Sequence, residues 1–106
     1  MLYVEEDLIV SPPDTERYLS WFEQAVLPGA RRRGLALVGC WHTPADIGED
    51  VRIVVLWSVR DWGHWDEARR QLMSDPGMPQ MVKEARTLRK GGMRKFLLPA
   101  KLSPLQ

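Results

Sequence analysis

The chain has 106 residues and a formal net charge of +1, so it makes a single domain (residues 1–106) with no general attraction for nucleic acid or other polyanions. Its apolar fraction of 44% and charged fraction of 27% are those of an ordinary soluble globular protein. One cysteine, Cys40, excludes an internal disulfide and suits a reducing compartment.

Leu2–Val10 alternates. Leu2, Val4, Leu8 and Val10 share an apolar face that Glu6 interrupts, and Tyr3, Glu5, Asp7 and Ile9 share the other. This is a strand, and Ser11-Pro12-Pro13 ends it. A helix is expected from about Asp14, capped by Ser11 or Asp14, with Tyr18, Phe22, Ala25 and Val26 facing a sheet. Pro28 should kink or restart it, and Gly34 fits a left-handed stop after Arg31–Arg33. That arginine triplet reads as a solvated helix end.

Two apolar runs follow, Leu35–Thr43 and Val51–Val59, joined by the polar stretch Pro44–Asp50. Each is too short for a typical helix and rich in Val, Leu, Ile and Trp, so they form a strand pair. On the first, Leu35, Leu37, Gly39 and Trp41 should share one face; Ala36, Val38, Cys40 and His42 should share the other. Cys40 then reads as a small core residue. Gly39 leaves room for a neighbour or ligand. A second helical region starts near Asp61, with Ser58 or Asp61 as cap and Trp65, Ala68 and Leu72 as its apolar stripe. It breaks at Asp75-Pro76-Gly77. Pro79–Lys90 is helical again, Gly91-Gly92 stops it, and Met93–Leu98 is the last strand. Ala100–Gln106 reads as an irregular tail.

The order strand, helix, strand, strand, helix, strand is the split βαβ arrangement of an α+β ferredoxin-like domain with a four-stranded antiparallel sheet. Both faces of the central strand pair are apolar, whereas a sheet covered by helices on one side should have one wet face. A domain this small has nothing left to cover the second face, so the natural cover is the same face of another copy. A homodimer is therefore expected.

Leu37-Val38-Gly39-Cys40-Trp41, Val55-Leu56-Trp57, the Asp75-Pro76 turn, and Leu98-Pro99 with Ser103-Pro104-Leu105 together resemble the NIPSNAP-type members of the dimeric α/β barrel superfamily, over nearly the whole chain. The resemblance implies a homodimer in which two four-stranded sheets face each other and close a barrel. A cavity for small molecules would lie within the barrel or between sheet and helices. Relatives in that superfamily include cofactor-independent monooxygenases, polyketide cyclases, decarboxylases, isomerases and haem-degrading enzymes. This chain departs from them at several points. Val55 stands where relatives often carry His before Leu-Trp, and Glu5 and Glu6 stand where an apolar residue and an arginine are common. Ala68, Arg69 and Arg70 occupy the region of the monooxygenase histidine.

Glu5 and Asp7 share the Tyr3 face of the first strand, roughly 7 Å apart along it. In a partly dry space, burial and mutual repulsion would raise at least one pKa and make a general acid or base. His42, at the end of the second strand, and His64, between Trp62 and Trp65 at a helix start, are candidate proton partners. Tyr3 could donate to developing oxyanion charge. Five tryptophans are many for this length. Trp41, Trp57, Trp62 and Trp65 are candidate walls of a pocket for a flat or cationic ligand. Two histidines without a ligand cluster argue against a metal site, and no phosphate-cradling or dinucleotide motif is present, so no cofactor is expected. No stretch has the length of a signal or a membrane span, so the expectation is a cytoplasmic protein.

These features point to a small cofactor-independent enzyme acting by acid–base chemistry, as a cyclase or isomerase, on a bulky hydrophobic or aromatic metabolite, in a biosynthetic setting. The alternatives are a cofactor-free monooxygenase of an aromatic substrate and a non-catalytic small-molecule-binding or assembly dimer.

Overall fold

The computed structural model describes residues 1–106. Strands β1 (Leu2–Val10), β2 (Ala36–His42), β3 (Val51–Val59) and β4 (Gly91–Leu97) form one antiparallel sheet in the order β2-β3-β1-β4. With its helices, this is the α+β ferredoxin-like arrangement that the element order predicts. β1 and β3 have the bounds read from the sequence. In their register Val4 faces Trp57, Leu8 faces Ile53 and Val10 faces Val51, and all six are buried on the helix side. Glu6 lies opposite Val55 on that same side.

The first helical rod is built in pieces. A short 3-10 turn, Pro12–Asp14, leads into α1 (Thr15–Trp21), a π-helical turn follows at Phe22–Val26, and α2 (Leu27–Arg32) completes it. Neither Ser11 nor Asp14 caps with its side chain; the backbone bond from Asp14 N–H to Ser11 O (2.9 Å) turns the chain instead. Pro28 has no N–H to return to the preceding turn and its ring crowds that turn, which the backbone accommodates by widening. The wider turn shifts the helical phase. Ala25, expected inside, faces solvent, while Leu27 and Ala30 take the buried positions. The rod ends at Gly34, with φ +90, in a Schellman motif: Leu35 N–H bonds Ala30 O and Gly34 N–H bonds Arg31 O, each at 3.0 Å.

A bulge between Leu37 and Gly39 makes Val38 an extra residue in β2. It corrects the expected face assignment. Leu37 pairs with Trp57 on the helix side, whereas Gly39 and Trp41 pair with Leu56 and Val54 on the other. The added residue inverts the alternation. Cys40 likewise is no core residue: it sits on the edge strand and is exposed, although partial burial pushes its thiol pKa up. Gly39 makes room for a neighbour within its own strand, because a Cβ there would strike the Trp41 ring.

Asp61 caps α3 (Trp62–Met73), accepting from His64 N–H at 2.8 Å, and α4 (Met78–Leu88) follows the Asp75-Pro76-Gly77 turn. Gly91 and Gly92 belong to β4 and are not the stop expected of them. Arg89 is already extended, Lys90 N–H bonds Ile9 O at 2.7 Å, and Gly92 pairs with Leu8. A Cβ on Gly92 would lie 3.0 Å from the Leu8 side chain, so packing rather than a turn asks for glycine there.

The molecule is a slab of 39 × 38 × 18 Å, thick enough for one sheet and one helix layer. Its radius of gyration of 14.5 Å exceeds the roughly 13 Å of a compact chain this long. The excess comes from flatness: apart from the tail at Tyr3, the face of the sheet away from the helices is bare. On it stand Trp41, Val54, Leu56 and Met93, with Trp41 56% and Met93 60% exposed.

Candidate functional site

A cavity of about 380 Å³ lies between the sheet and the helices, within the range of small-molecule pockets. Its floor is β1 and β3; α1, the π-helical turn, α3 and α4 wall it. Most of the lining is apolar: Phe22, Trp57 and Trp65 supply aromatic surface, and Leu72, Met78 and Met81 supply flexible aliphatic surface. Methionine suits a wall that must fit ligands of irregular shape. The phase shift at Phe22–Val26 helps form it, since Phe22 packs on Trp57 (ring centroids 5.8 Å) and Tyr18 stacks on Phe22 (6.4 Å).

The polar groups of the cavity are few, and Glu6 is held at both oxygens. Glu6 Oε1 accepts from Trp57 Nε1 at 2.9 Å, and Glu6 Oε2 pairs with Arg94 at 3.4 Å. The Arg94 guanidinium also lies over the Trp65 ring, 5.1 Å from its centre. Tyr18 is buried, which pushes its hydroxyl pKa up, and the Arg89 guanidinium beside it opposes that shift in part. A neutral O–H donor therefore stands next to a fixed cation. Arg33 and Arg69 complete the charged lining; burial lowers the Arg33 pKa.

A second charged group sits on the bare face. Lys95 Nζ is 3.5 Å from Asp7 Oδ2 and 3.9 Å from Glu5 Oε2. Burial raises the Glu5 pKa, the neighbouring Asp7 raises it further, and Lys95 opposes them. Asp7 is only 9% exposed. These two carboxylates are brought together as their spacing predicts.

The other candidates are placed apart from them. Tyr3 shares their face, but its hydroxyl donates to the Gln106 carbonyl at 3.2 Å, so the tail ties it down. His42 ends the edge strand β2, its Nδ1 2.8 Å from Thr43 O. His64 lies at the start of α3, where its Nδ1 accepts from Arg60 N–H at 3.3 Å and its ring fills the space over Gly34. Of the four candidate tryptophans, Trp57 and Trp65 line the cavity, together with Trp21. Trp62 is half exposed and packs on Phe96 at 5.0 Å, and Trp41 lies on the bare face. No cluster of three or more His, Cys, Asp or Glu side chains is placed to hold a metal ion. No helix is long and apolar enough to cross a membrane.

Glu6, Tyr18, Arg89 and Arg94 are not among the site candidates that the sequence offers. Glu6 did carry a signal, as the one acid on the greasy face of β1. Tyr18 was hidden in an apolar helical stripe, and the two arginines in a basic run that reads as solvent-facing.

A four-stranded ferredoxin-like sheet with helices on one face and a cavity beneath them defines the class of this domain. The NIPSNAP family profile matches residues 7–104, and the chain belongs to the NIPSNAP family. A solved NIPSNAP family protein from Agrobacterium tumefaciens is similar at 26% identity and TM-score 0.81, covering 100% of this chain and 94% of that one. A NIPSNAP domain protein from Burkholderia xenovorans is similar at 22% identity and TM-score 0.82, with 98% and 99% covered. More distantly, at 14% identity and TM-score 0.62, the fold is that of an antibiotic biosynthesis monooxygenase, with 94% and 99% covered. No curated protein matches the chain.

Proposed function

We propose that this protein is a cofactor-independent enzyme that performs acid–base chemistry, of the cyclase or isomerase type, on a bulky hydrophobic or aromatic metabolite. The observation that carries this reading is Glu6: the one carboxylate on the wall of a mostly apolar cavity, oriented by Trp57 and Arg94. Glu6 is the proton-accepting group, and the Tyr18 hydroxyl donates to the negative charge that develops on the substrate. Leu72, Met78 and Met81 keep water from the reacting carbon. The working form is a homodimer closed through the bare sheet faces.

A turnover screen of flat aromatic and bulky apolar metabolites, read by mass spectrometry in D₂O, tests this. Acid–base turnover exchanges or rearranges hydrogen without adding oxygen, and it proceeds anaerobically. Glu6→Gln and the cavity-filling Leu72→Trp should abolish it, while Glu5→Gln should leave it. Turnover that survives both cavity changes would sink the reading.

A second reading puts the acid–base pair at Glu5 and Asp7, inside the barrel formed by two copies. The closeness of the two acids, which share Lys95, and the raised Glu5 pKa favour it. In that case Glu5→Gln and Asp7→Asn stop turnover and Leu72→Trp does not. The monooxygenase alternative draws on the distant fold likeness and the tryptophan-lined wall; its product gains an oxygen atom and forms only in air.

A further inference from the structure

We infer that the cavity takes an organic anion, a flat apolar body carrying one carboxylate or enolate, with the anionic head on Arg89. This rests on the reading of the cavity as the functional site and narrows its substrate class.

The argument is one of charge matching. Four arginines and one carboxylate line the cavity: Arg33, Arg69, Arg89 and Arg94 against Glu6. Glu6 is already matched by Arg94 at 3.4 Å, and Arg69 by Asp66 at 3.7 Å. Neither Arg33 nor Arg89 has a carboxylate within 4.0 Å, but the Asp75 charge partly offsets Arg33, whereas Arg89 is half-buried beside the Tyr18 hydroxyl. A guanidinium drawn out of water without a counter-charge is costly, and a planar fork beside a hydroxyl donor is the geometry that receives a carboxylate. The same inventory argues against a cationic ligand, because Arg94 already covers the Trp65 face on which a cation would stack.

The remaining lining fixes the body of the ligand. Phe22 and Trp57 offer ring faces near Tyr18, and Met78 and Met81 close the far side. A head on Arg89 sets the ligand beside the Tyr18 hydroxyl, in the cavity whose wall also carries Glu6. Proton removal next to a carboxylate or carbonyl is the step that such a placement serves.

The test uses 2-naphthoate and its neutral isostere 2-naphthamide, titrated into the purified protein by calorimetry, with tryptophan fluorescence reporting on the cavity. Naphthoate should bind at least ten-fold tighter than naphthamide. Arg89→Gln should erase that preference, and Arg89→Lys, which keeps the charge but loses the fork, should retain part of it. The surface change Arg60→Gln should leave it whole. Equal binding of the two compounds, or a preference that persists in Arg89→Gln, overturns the anion assignment while leaving the cavity as the site. If neither compound binds, or if Leu72→Trp does not block them, the cavity reading fails and the anion assignment with it.

Discussion

The two faces of this sheet are made from the same strands and have opposite fates. On the helix side, Val4, Leu8, Val51, Ile53 and Trp57 are sealed under helices, and the one acid among them, Glu6, has both oxygens occupied. On the other side, Trp41, Val54, Leu56 and Met93 are just as apolar but uncovered, and their acids, Glu5 and Asp7, share one lysine. Only 19 of 106 residues are buried, few for a domain of this size, because the second face contributes almost nothing to the core of a single chain. The covered face holds the fold and a cavity; the bare face is where the proposed homodimer would close.

Substituting one tryptophan on each face separates these roles. Trp57 is 2% exposed in the core, and Trp57→Ala should cost about 3–5 kcal/mol, a large share of a typical domain's stability. Urea unfolding measures it. Trp41→Ala should move the stability of an isolated chain by no more than about 0.5 kcal/mol. Its expected effect is on assembly: Trp41→Glu sets a charge on the bare face opposite Val54 and should shift sedimentation from dimer to monomer. A wild-type protein that sediments as a monomer, or a Trp41→Glu variant that stays dimeric, breaks the comparison at its root.

The sequence carried the architecture because periodicity is a property of neighbours along the chain. Alternation in β1 and the short apolar run of β3 located those strands to the residue, and two-sided apolarity announced the bare face. It did not show the bulge at Val38 or the π-helical turn before Pro28, and each of these changes which residues point inward. The cavity uses the second, since Phe22 and Val26 line it. Phase errors of one residue are invisible in composition, yet they decide that Leu37 and Trp41 lie on opposite faces and that Leu27, not Ala25, is buried. Glu5 and Asp7 were legible because they sit two apart on one strand. Arg89 was not, since its partner Tyr18 is seventy-one positions away and only the fold brings them together.

A smaller effect tests the seam where the helix layer meets the sheet. Gly34 holds φ +90 and the His64 ring covers it. Gly34→Ala should therefore cost at least about 1 kcal/mol from the backbone alone. Pairing it with His64→Ala should recover only the steric part of the loss. Full recovery in the double variant would mean that the left-handed turn carries no strain, and the Schellman stop would lose its explanation.

The smallest expected effect is in pH dependence, and it has opposite signs at two carboxylates. Glu5 on the bare face has its pKa raised above the ordinary 4.5, chiefly by burial. The folded chain then binds that proton more tightly than the unfolded chain, so stability falls as pH rises from 4.5 through the raised value. Asp61, the exposed cap of α3, has its pKa lowered below 3.8, chiefly by the His64 N–H. Its contribution is present above 3.8 and is lost as pH falls through the lowered value. Urea midpoints taken between about pH 3 and 7 should show both limbs. Glu5→Gln should flatten the limb above 4.5 and leave the acid limb, and Asp61→Asn should do the reverse. If Glu5→Gln changes neither limb, Glu5 is as well solvated in the fold as in the unfolded chain. The bare face would then be wet at its centre, and a second copy would have far less reason to close over it.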